Sequence, residues 1–266
     1  MNEAGLRTIV RELESCIVAF SGGVDSALVL AVATEELGDR AVGITARSES
    51  LAAGEEAGAL AFAGTVGARH EVIETHELDN PAYRANPENR CYFCKSELYG
   101  SLRAIADERG IRWIVDGFNI DDAKDVRPGR LAAKEHNVRS PLAEAGFTKD
   151  DVRALARRLD LDVWDKPALA CLSSRFPYGT EISLELLQQV DRAERAVHAE
   201  GIRVCRVRHH GDVARIEVPA QEIIRCVETG VRERIVAGVR AAGYRFVAID
   251  LGGYSSGNLN KRTGDG

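Results

Sequence analysis

Apolar residues fall in short runs that alternate with stretches of helical spacing. Cys16-Ile17-Val18-Ala19-Phe20 is an apolar run with β-branched members, the pattern of a strand buried on both faces. A glycine-rich turn follows. From Val24 the apolar residues Ala27, Leu28, Ala31 and Val32 recur on one helical face up to Gly38. The order is strand, loop, helix, and it repeats. Residues 41–46 predict a strand, the Ala-rich stretch 50–66 a helix, and 70–74 a short strand. Residues 95–108 predict a helix with Leu98, Leu102 and Ile105 on one face, and 113–116 another strand. Thr148 predicts the cap of a helix reaching Leu159, with Asp151 in its first turn. Such alternation predicts an α/β domain with a parallel sheet covered on both faces.

The rhythm changes after Asp165. Residues 183–199 predict an amphipathic helix with Leu186, Leu187, Val190, Ala193 and Val197 on its apolar face. Residues 203–208 and 213–218 alternate in period two, with Gly211-Asp212 between them, which predicts a hairpin. Residues 221–241 predict one helix and 245–251 a strand. The expected division is an ATP-binding domain over 1–168 and a smaller α+β domain over 169–266. The tail from Tyr254, rich in Ser, Gly and Asn, is expected to be loose or ordered by a partner.

Composition narrows the function classes. The chain has 266 residues, 45% hydrophobic but only 6% aromatic, so the core is expected to be mainly Ala, Val, Leu and Ile. The net charge of −6 gives no support to wholesale nucleic-acid binding. No apolar run approaches the ~20 residues of a spanning helix, and the first ten residues lack a signal-peptide pattern. A cytoplasmic protein without membrane association is expected. Six cysteines in such a chain read poorly as a disulfide framework.

Ser21-Gly22-Gly23-Val24-Asp25-Ser26 lies between the first strand and the first helix. Glycines there allow a sharp turn and close approach to a ligand. The helix directs free N–H groups and its positive dipole end at the same point. Ser21 and Ser26 add hydroxyls, and Asp25 suits a magnesium ion held against phosphate oxygens. No lysine closes the loop, so it is not the G-x-x-x-x-G-K-[ST] type.

The loop resembles the PP-loop of the ATP pyrophosphatases, the adenine nucleotide alpha hydrolase-like group. These enzymes cleave ATP between the α and β phosphates and adenylate a substrate. Two further segments fit that resemblance. Asp116-Gly117-Phe118-Asn119-Ile120-Asp121-Asp122 follows a strand, where such a sheet places ligand groups. Asp121 and Asp122 suit a second metal or substrate orientation, or form a solvated acidic turn. Arg139-Ser140-Pro141-Leu142 resembles the arginine segment that neutralises phosphate charge. Arg47, after the second strand, stands where adenine and ribose are usually received.

Cys91-Tyr92-Phe93-Cys94 is a C-x-x-C pair: two packed thiols, a redox pair or part of a metal site. A second cysteine segment runs Lys166-Pro167-Ala168-Leu169-Ala170-Cys171-Leu172-Ser173-Ser174-Arg175-Phe176-Pro177-Tyr178-Gly179. It sets Cys171 near cations that favour a thiolate, as nucleophile or ligand, against the plainer reading of a buried thiol. Arg206 and Arg208, two apart on a strand, share a face that suits a nucleotide phosphate or is a solvated basic strand. Glu194 on the preceding helix is expected to reach the same place. Cys16, Cys205 and Cys226 are expected in the core. His209 and His210 are expected at a turn, facing solvent or phosphate.

The Cys171 run resembles the LarE family of ATP-dependent sulfur transferases. So do Arg206-Val207-Arg208-His209-His210-Gly211-Asp212, Ala214-Arg215-Ile216-Glu217-Val218 and the closing Asp250-Leu251-Gly252-Gly253-Tyr254-Ser255-Ser256-Gly257. The resemblance implies adenylation of a carboxylate of pyridinium-3,5-biscarboxylic acid mononucleotide and its conversion to a thiocarboxylate, in synthesis of the nickel-pincer nucleotide cofactor of lactate racemase. It implies ATP and Mg2+ at Ser21, Gly22, Gly23, Asp25, Ser26, Arg47, Gly117 and Arg139, with Cys171, Asp25, Arg206, Arg208 and Glu194 in the chemistry. Sulfur comes either from Cys171 itself, which becomes dehydroalanine, or from a [4Fe-4S] cluster on Cys91, Cys94 and Cys171, the expected class here. A homo-oligomer and handover to other proteins of the same cofactor synthesis are expected. The rivals are a tRNA thiolation enzyme of the PP-loop group and an ATP-binding regulatory module without chemistry.

Overall fold

The computed structural model describes residues 2–124, 128–167 and 170–255. The chain opens with α1 (Glu3–Arg11), β1 (Cys16–Ala19), α2 (Val24–Leu37), β2 (Ala41–Arg47), α3 (Glu55–Thr65) and β3 (Arg69–Glu74). It continues through α4 (Pro81–Arg84), α5 (Arg90–Glu108), β4 (Trp113–Val115), α6 (Gly129–Glu135), β5 (Val138–Arg139), α7 (Pro141–Glu144) and α8 (Lys149–Arg158). Then come α9 (Leu184–His198), β6 (Arg206–His210), β7 (Val213–Glu217), α10 (Ile223–Val227), α11 (Thr229–Ala241) and β8 (Phe246–Ile249). Backbone contacts group these into two units. One comprises Met1–Asn80 and Asn89–Leu169, the other Pro81–Glu88 and Ala170–Gly266.

The first unit is built on a five-stranded sheet in the order β3-β2-β1-β4-β5, with every pair parallel. Successive side chains of a strand point to opposite faces. Ile17 accordingly packs with Val42, Ile44, Leu102 and Ile114 on one face. Cys16 and Val18 pack with Leu28, Val32 and Leu155 on the other. Both faces are therefore covered, and this is a PP-loop α/β fold. From β1 the chain moves outward through β2 and β3, then returns to place β4 and β5 on the opposite side. The order reverses between β1 and β4. An open parallel sheet binds ligands at such a switch point, beyond the carboxyl ends of the strands.

Element edges differ from expectation in ways that matter. Gly54 holds a left-handed φ of +87°, so α3 starts at Glu55 rather than 50. Helix α5 starts at Arg90 rather than 95, which puts the C-x-x-C pair in its first turns. Its buried apolar residues begin only at Tyr99 and Leu102, and the one buried residue before them is the charged Arg90, so apolar periodicity does not reveal the earlier turns. Thr148 caps α8 as expected: its Oγ1 accepts from the Asp151 N–H, and Asp151 Oδ2 accepts from the Thr148 N–H.

The second unit holds a three-stranded mixed sheet, β6-β7-β8. The β6–β7 hairpin is antiparallel and turns through Gly211 at φ +61°, and β8 lies parallel to β7. The single helix expected over 221–241 breaks at Glu228, whose extended ψ of 135° separates α10 from α11. The break lets Ile235 and Val239 of α11 face the core while Ile224 and Val227 of α10 stay exposed. Segment Pro81–Glu88 is stitched into this unit. The Gly179 N–H donates to the Asn86 carbonyl at 2.9 Å, and Asn86 Nδ2 donates to the Pro177 carbonyl at 2.8 Å. Tyr83 Oη lies 2.6 Å from Ser173 Oγ. Among the described residues no helix is long and apolar enough to cross a membrane. Residues 256–266, including Ser256 and Gly257, lie outside the described residues, as do Ala168 and Leu169.

Candidate active site

Strand β1 ends at the switch point, and the Ser21–Ser26 loop turns there into α2. Gly22 has φ +73°, a conformation that favours glycine. Ser26 Oγ donates to the Gly23 carbonyl at 3.1 Å and accepts from the Ser21 N–H at 3.2 Å. Ser21 Oγ lies 3.1 Å from Ser26 Oγ. The loop is thus closed on itself by its two hydroxyls, with the start of α2 directed into it. Gly117, after β4, presses against the same loop. A Cβ on it would stand 2.5 Å from the Ser26 nitrogen, so only glycine fits.

Asp25 sits between two groups from distant parts of the sequence. Asn119 Nδ2 donates to its Oδ1 at 3.1 Å, and Lys149 Nζ pairs with its Oδ2. Lys166 Nζ donates to the Gly22 carbonyl at 3.2 Å and to Glu55 Oε2 at 2.9 Å. Asp116 Oδ1 accepts from Ser140 Oγ at 2.7 Å and from the Phe118 N–H at 3.1 Å, which fixes the segment after β4. Asp121 and Asp122 are tied into that segment. Asp121 Oδ2 accepts from the Lys149 N–H at 2.8 Å, and Asp122 Oδ2 accepts from the Asn119 N–H at 3.2 Å.

Arg47 ends β2, exposed, and forks onto Glu56 with two bonds of 2.6 Å. Arg139 ends β5 and pairs with Glu144, which raises its pKa against the opposing effect of burial. Its guanidinium lies 5.2 Å from the Trp113 ring. Both arginines therefore lie against carboxylates of their own unit.

In the second unit, Cys171 is exposed and precedes a short 3-10 turn, Leu172–Arg175. Arg175 is buried behind it. Its Nη1 donates to the carbonyls of Ala170 at 2.7 Å and Cys171 at 3.0 Å. Its Nε and Nη2 donate to Glu194 at 2.8 and 2.9 Å. Glu194 Oε1 also accepts from the Val207 N–H at 2.9 Å, so it joins α9, the Cys171 turn and β6. Arg206 and Arg208 are buried rather than solvated. Arg208 Nε and Nη2 donate to Glu217 Oε2 at 2.9 and 2.7 Å, and its Nη1 donates to the Ser174 carbonyl at 2.9 Å. Arg206 Nη1 donates to the Cys205 carbonyl at 2.7 Å. Burial, and then the charge of Arg175, lower the Arg206 pKa.

His209 corrects the sequence reading, for it is buried in β6 rather than open at a turn. It packs against Phe176 and Tyr244 and lies 3.1 Å from Tyr244 Oη through Nδ1. No local pattern signals this, because Phe176 and Tyr244 are both remote along the chain. Cys16, Cys205 and Cys226 are buried. Burial pushes the Cys16 thiol up to about 12 and raises the other two, which leaves them inert.

Cys91 is exposed and Cys94 half-buried, one turn apart on α5. Cys94 Sγ donates to Glu77 Oε1 at 3.4 Å, and burial raises the Glu77 pKa. Among the described residues, no group of three or more His, Cys, Asp or Glu side chains stands ready to hold a metal ion.

Sequence reasoning missed Lys149 and undervalued Lys166. One signal was present: a lysine at the first position of α8 opposes the positive end of that helix, which calls for a local reason.

No family model matches the chain. It is 48% identical over 256 residues to an uncharacterised protein of Synechocystis sp., covering 96% of each chain. It is 38% identical over 259 residues to the pyridinium-3,5-bisthiocarboxylic acid mononucleotide synthase of Lactiplantibacillus plantarum, covering 97% of this chain and 93% of that one. A more distant relative is the 7-cyano-7-deazaguanine synthase of Desulforudis audaxviator, 29% identical over 229 residues, covering 71% of this chain and 99% of that one. Whole-length similarity to the first of these synthases, carried on a PP-loop fold, places the chain in the LarE family of enzymes.

Proposed function

We propose that this protein is an ATP-dependent sulfur transferase that adenylates a carboxylate of pyridinium-3,5-biscarboxylic acid mononucleotide and converts it to a thiocarboxylate. The reading is carried by the Ser21–Ser26 loop, closed on itself at the switch point with Gly117 pressed against it. Residues 1–168 serve ATP, and residues 169–266 serve substrate and sulfur transfer. The product belongs to synthesis of the nickel-pincer nucleotide cofactor of lactate racemase. The enzyme works in the cytoplasm as a homo-oligomer and hands its product to other proteins of that synthesis.

Ser21, Gly22, Gly23 and Ser26 cradle the phosphates, with Arg47, Gly117 and Arg139 around the nucleotide. Asp25 suits Mg2+ through its carboxylate, whose Oδ2 Mg2+ would have to take over from or share with Lys149. Magnesium, when bound, offsets charge on the phosphate oxygens. The substrate carboxylate oxygen attacks the α phosphorus, the bond to the bridging oxygen breaks, and pyrophosphate leaves. Arg206 and Arg208 hold the substrate phosphate, and Glu194 fixes their strand. A sulfur nucleophile then attacks the acyl carbon and the C–O bond to AMP breaks. Adenylation is what makes that oxygen able to leave.

Cys171 supplies the sulfur position. The cluster reading rests on Cys91 and Cys94, one helical turn apart, and on a third thiol, Cys171, that is exposed. Cys91, Cys94 and Cys171 would hold a [4Fe-4S] cluster, which would supply a place for sulfide and so let the enzyme turn over. In the sacrificial alternative, Cys171 Sγ attacks the acyl carbon. Loss of its Cα proton then breaks the Cβ–Sγ bond and leaves dehydroalanine.

The test is pyrophosphate release from ATP that depends on the pyridinium dicarboxylate nucleotide. Asp25→Ala and Ser26→Ala should abolish it, with circular dichroism showing that the fold is retained. Release at the parent rate in both variants would remove the ATP assignment.

A further inference from the structure

Strand β5 ends the five-stranded sheet, so among the described residues no strand pairs with its outer edge. Beside that edge, against α6, lies a cavity of about 570 Å³ whose lining includes Trp113, Arg130, Leu131, Lys134, Val138 and Arg139. Small-molecule sites span roughly 300–1,000 Å³, so the size suits one. Trp113 and Val138 are the first residues of β4 and β5. The cavity therefore lies toward the amino ends of these strands, whereas the Ser21–Ser26 loop follows the carboxyl end of β1 in the same parallel sheet. Three cations line it, and among the described residues no carboxylate does. Arg130 and Lys134, four apart on α6, share a face. Arg130 is held in place: its Nη1 donates to Ser140 Oγ at 2.9 Å, and its guanidinium lies 3.8 Å from the Phe118 ring. Lys134 is exposed and belongs to no ion pair among the described residues.

An aromatic platform stands in the same wall. Trp113 is half-buried, with the Arg139 guanidinium 5.2 Å from its ring and that of Arg112 at 4.7 Å. Guanidinium planes stack on aromatic faces, and a flat heterocycle extends such a stack. Leu131, 54% exposed, adds apolar surface. Glu144 offsets Arg139, and Asp116 Oδ2 stands 3.7 Å from Arg130, so the charge left uncompensated is that of Lys134. One phosphate group matches it better than a polyphosphate chain does. We propose that this cavity binds a nucleoside monophosphate, its base laid on the Trp113 stack and its phosphate on Arg130 and Lys134. The planar fork of Arg130 suits two phosphate oxygens at once, and Lys134 adds a point charge on a flexible stem. Binding here is independent of the ATP site, because no residue of the Ser21–Ser26 loop lines the cavity.

The chain has two tryptophans, so Trp164→Phe leaves Trp113 as the one indole and its fluorescence as the readout. AMP is titrated into the full chain in that background. A saturable change in Trp113 emission is expected, with adenosine and inorganic phosphate each binding at least tenfold more weakly. Lys134→Glu sets a carboxylate where the phosphate would sit and should weaken AMP at least tenfold, while Lys134→Arg should keep most of the affinity. Ser26→Ala, in the loop at the other end of the sheet, should leave the titration unchanged. No saturable change with AMP, an equal affinity for inorganic phosphate, or the same AMP affinity in Lys134→Glu would overturn the site. A signal lost in Ser26→Ala and kept in Lys134→Glu would put AMP in the loop, which overturns the cavity and leaves the ATP reading standing.

Discussion

Arg175 and Glu194 form a forked ion pair with only 3% and 7% of their side chains exposed. The remaining guanidinium nitrogen holds the carbonyls of Ala170 and Cys171, so the pair fixes the backbone on both sides of the cysteine. A buried pair of this kind is weak evidence for net stability, because both ions lose their hydration. Removing one member is another matter, since the other is left buried and uncompensated.

Glu194→Ala should therefore destabilise the second unit by about 3–5 kcal/mol. Glu194→Gln, which keeps an acceptor for Arg175 and for the Val207 N–H, should cost less. Urea unfolding of both variants checks the order. Equal stability of parent and Glu194→Ala would mean that water reaches this pair.

Gly117 permits a second test. Gly117→Ala places a methyl 2.5 Å from the Ser26 nitrogen, against backbone rather than a yielding side chain. The loop must shift, so MgATP affinity should fall at least tenfold, while overpacking costs about 1–3 kcal/mol of stability. Calorimetry and thermal unfolding separate the two effects. Retained affinity would show that ATP does not need the observed loop position.

The sheet and its phosphate loop were legible because both are local. A buried strand shows its apolar run, a phosphate loop its glycines, and Thr148 its cap. What could not be read were pairings across the fold. Lys149 meets Asp25, and Tyr83 meets Ser173, over separations that no spacing rule covers. The same limit explains Arg208. Its period-two placement was plain, but its partner Glu217 comes from the facing strand, and that register determined its burial. Segment Pro81–Glu88 lies between elements of the first unit in sequence but belongs to the second, because its hydrogen bonds are long-range.

His209 gives the chain a pH dependence of known sign. Burial, and then the charge of His210, lower its pKa below the usual histidine value, so the folded state favours the neutral ring. The unfolded chain takes up a proton near pH ~6.5. The stability that this group contributes is complete above that pH and is lost as the pH falls through the folded-state pKa. His209→Gln cannot titrate and should flatten the fall between pH ~7 and ~5. Urea midpoints at the two pH values measure it. An identical slope in the variant would assign the effect to other groups, such as His210 and His70, whose pKa values burial also lowers.

The sulfur source is the sharpest prediction, because the two routes leave different proteins behind. Cys91 and Cys94, one turn apart on α5, suit two ligands of one centre, and Cys171 is the remaining exposed cysteine among the described residues. Structural zinc ordinarily takes four protein ligands, so three thiols suit it poorly. A three-thiolate [4Fe-4S] cluster gives all three cysteines a function, whereas the sacrificial route leaves the C-x-x-C pair without one. Protein prepared without oxygen should therefore carry about four irons per chain. Changing Cys91, Cys94 or Cys171 to Ala should remove them, while Cys16→Ala should not, since that thiol is buried in the core of the first unit. After reaction with ATP and the dicarboxylate, Cys171 should still have the mass of cysteine, and product should exceed one equivalent when sulfide is supplied. Dehydroalanine at Cys171, with no iron bound after anaerobic reconstitution, would overturn the cluster and make the protein a single-turnover sulfur donor.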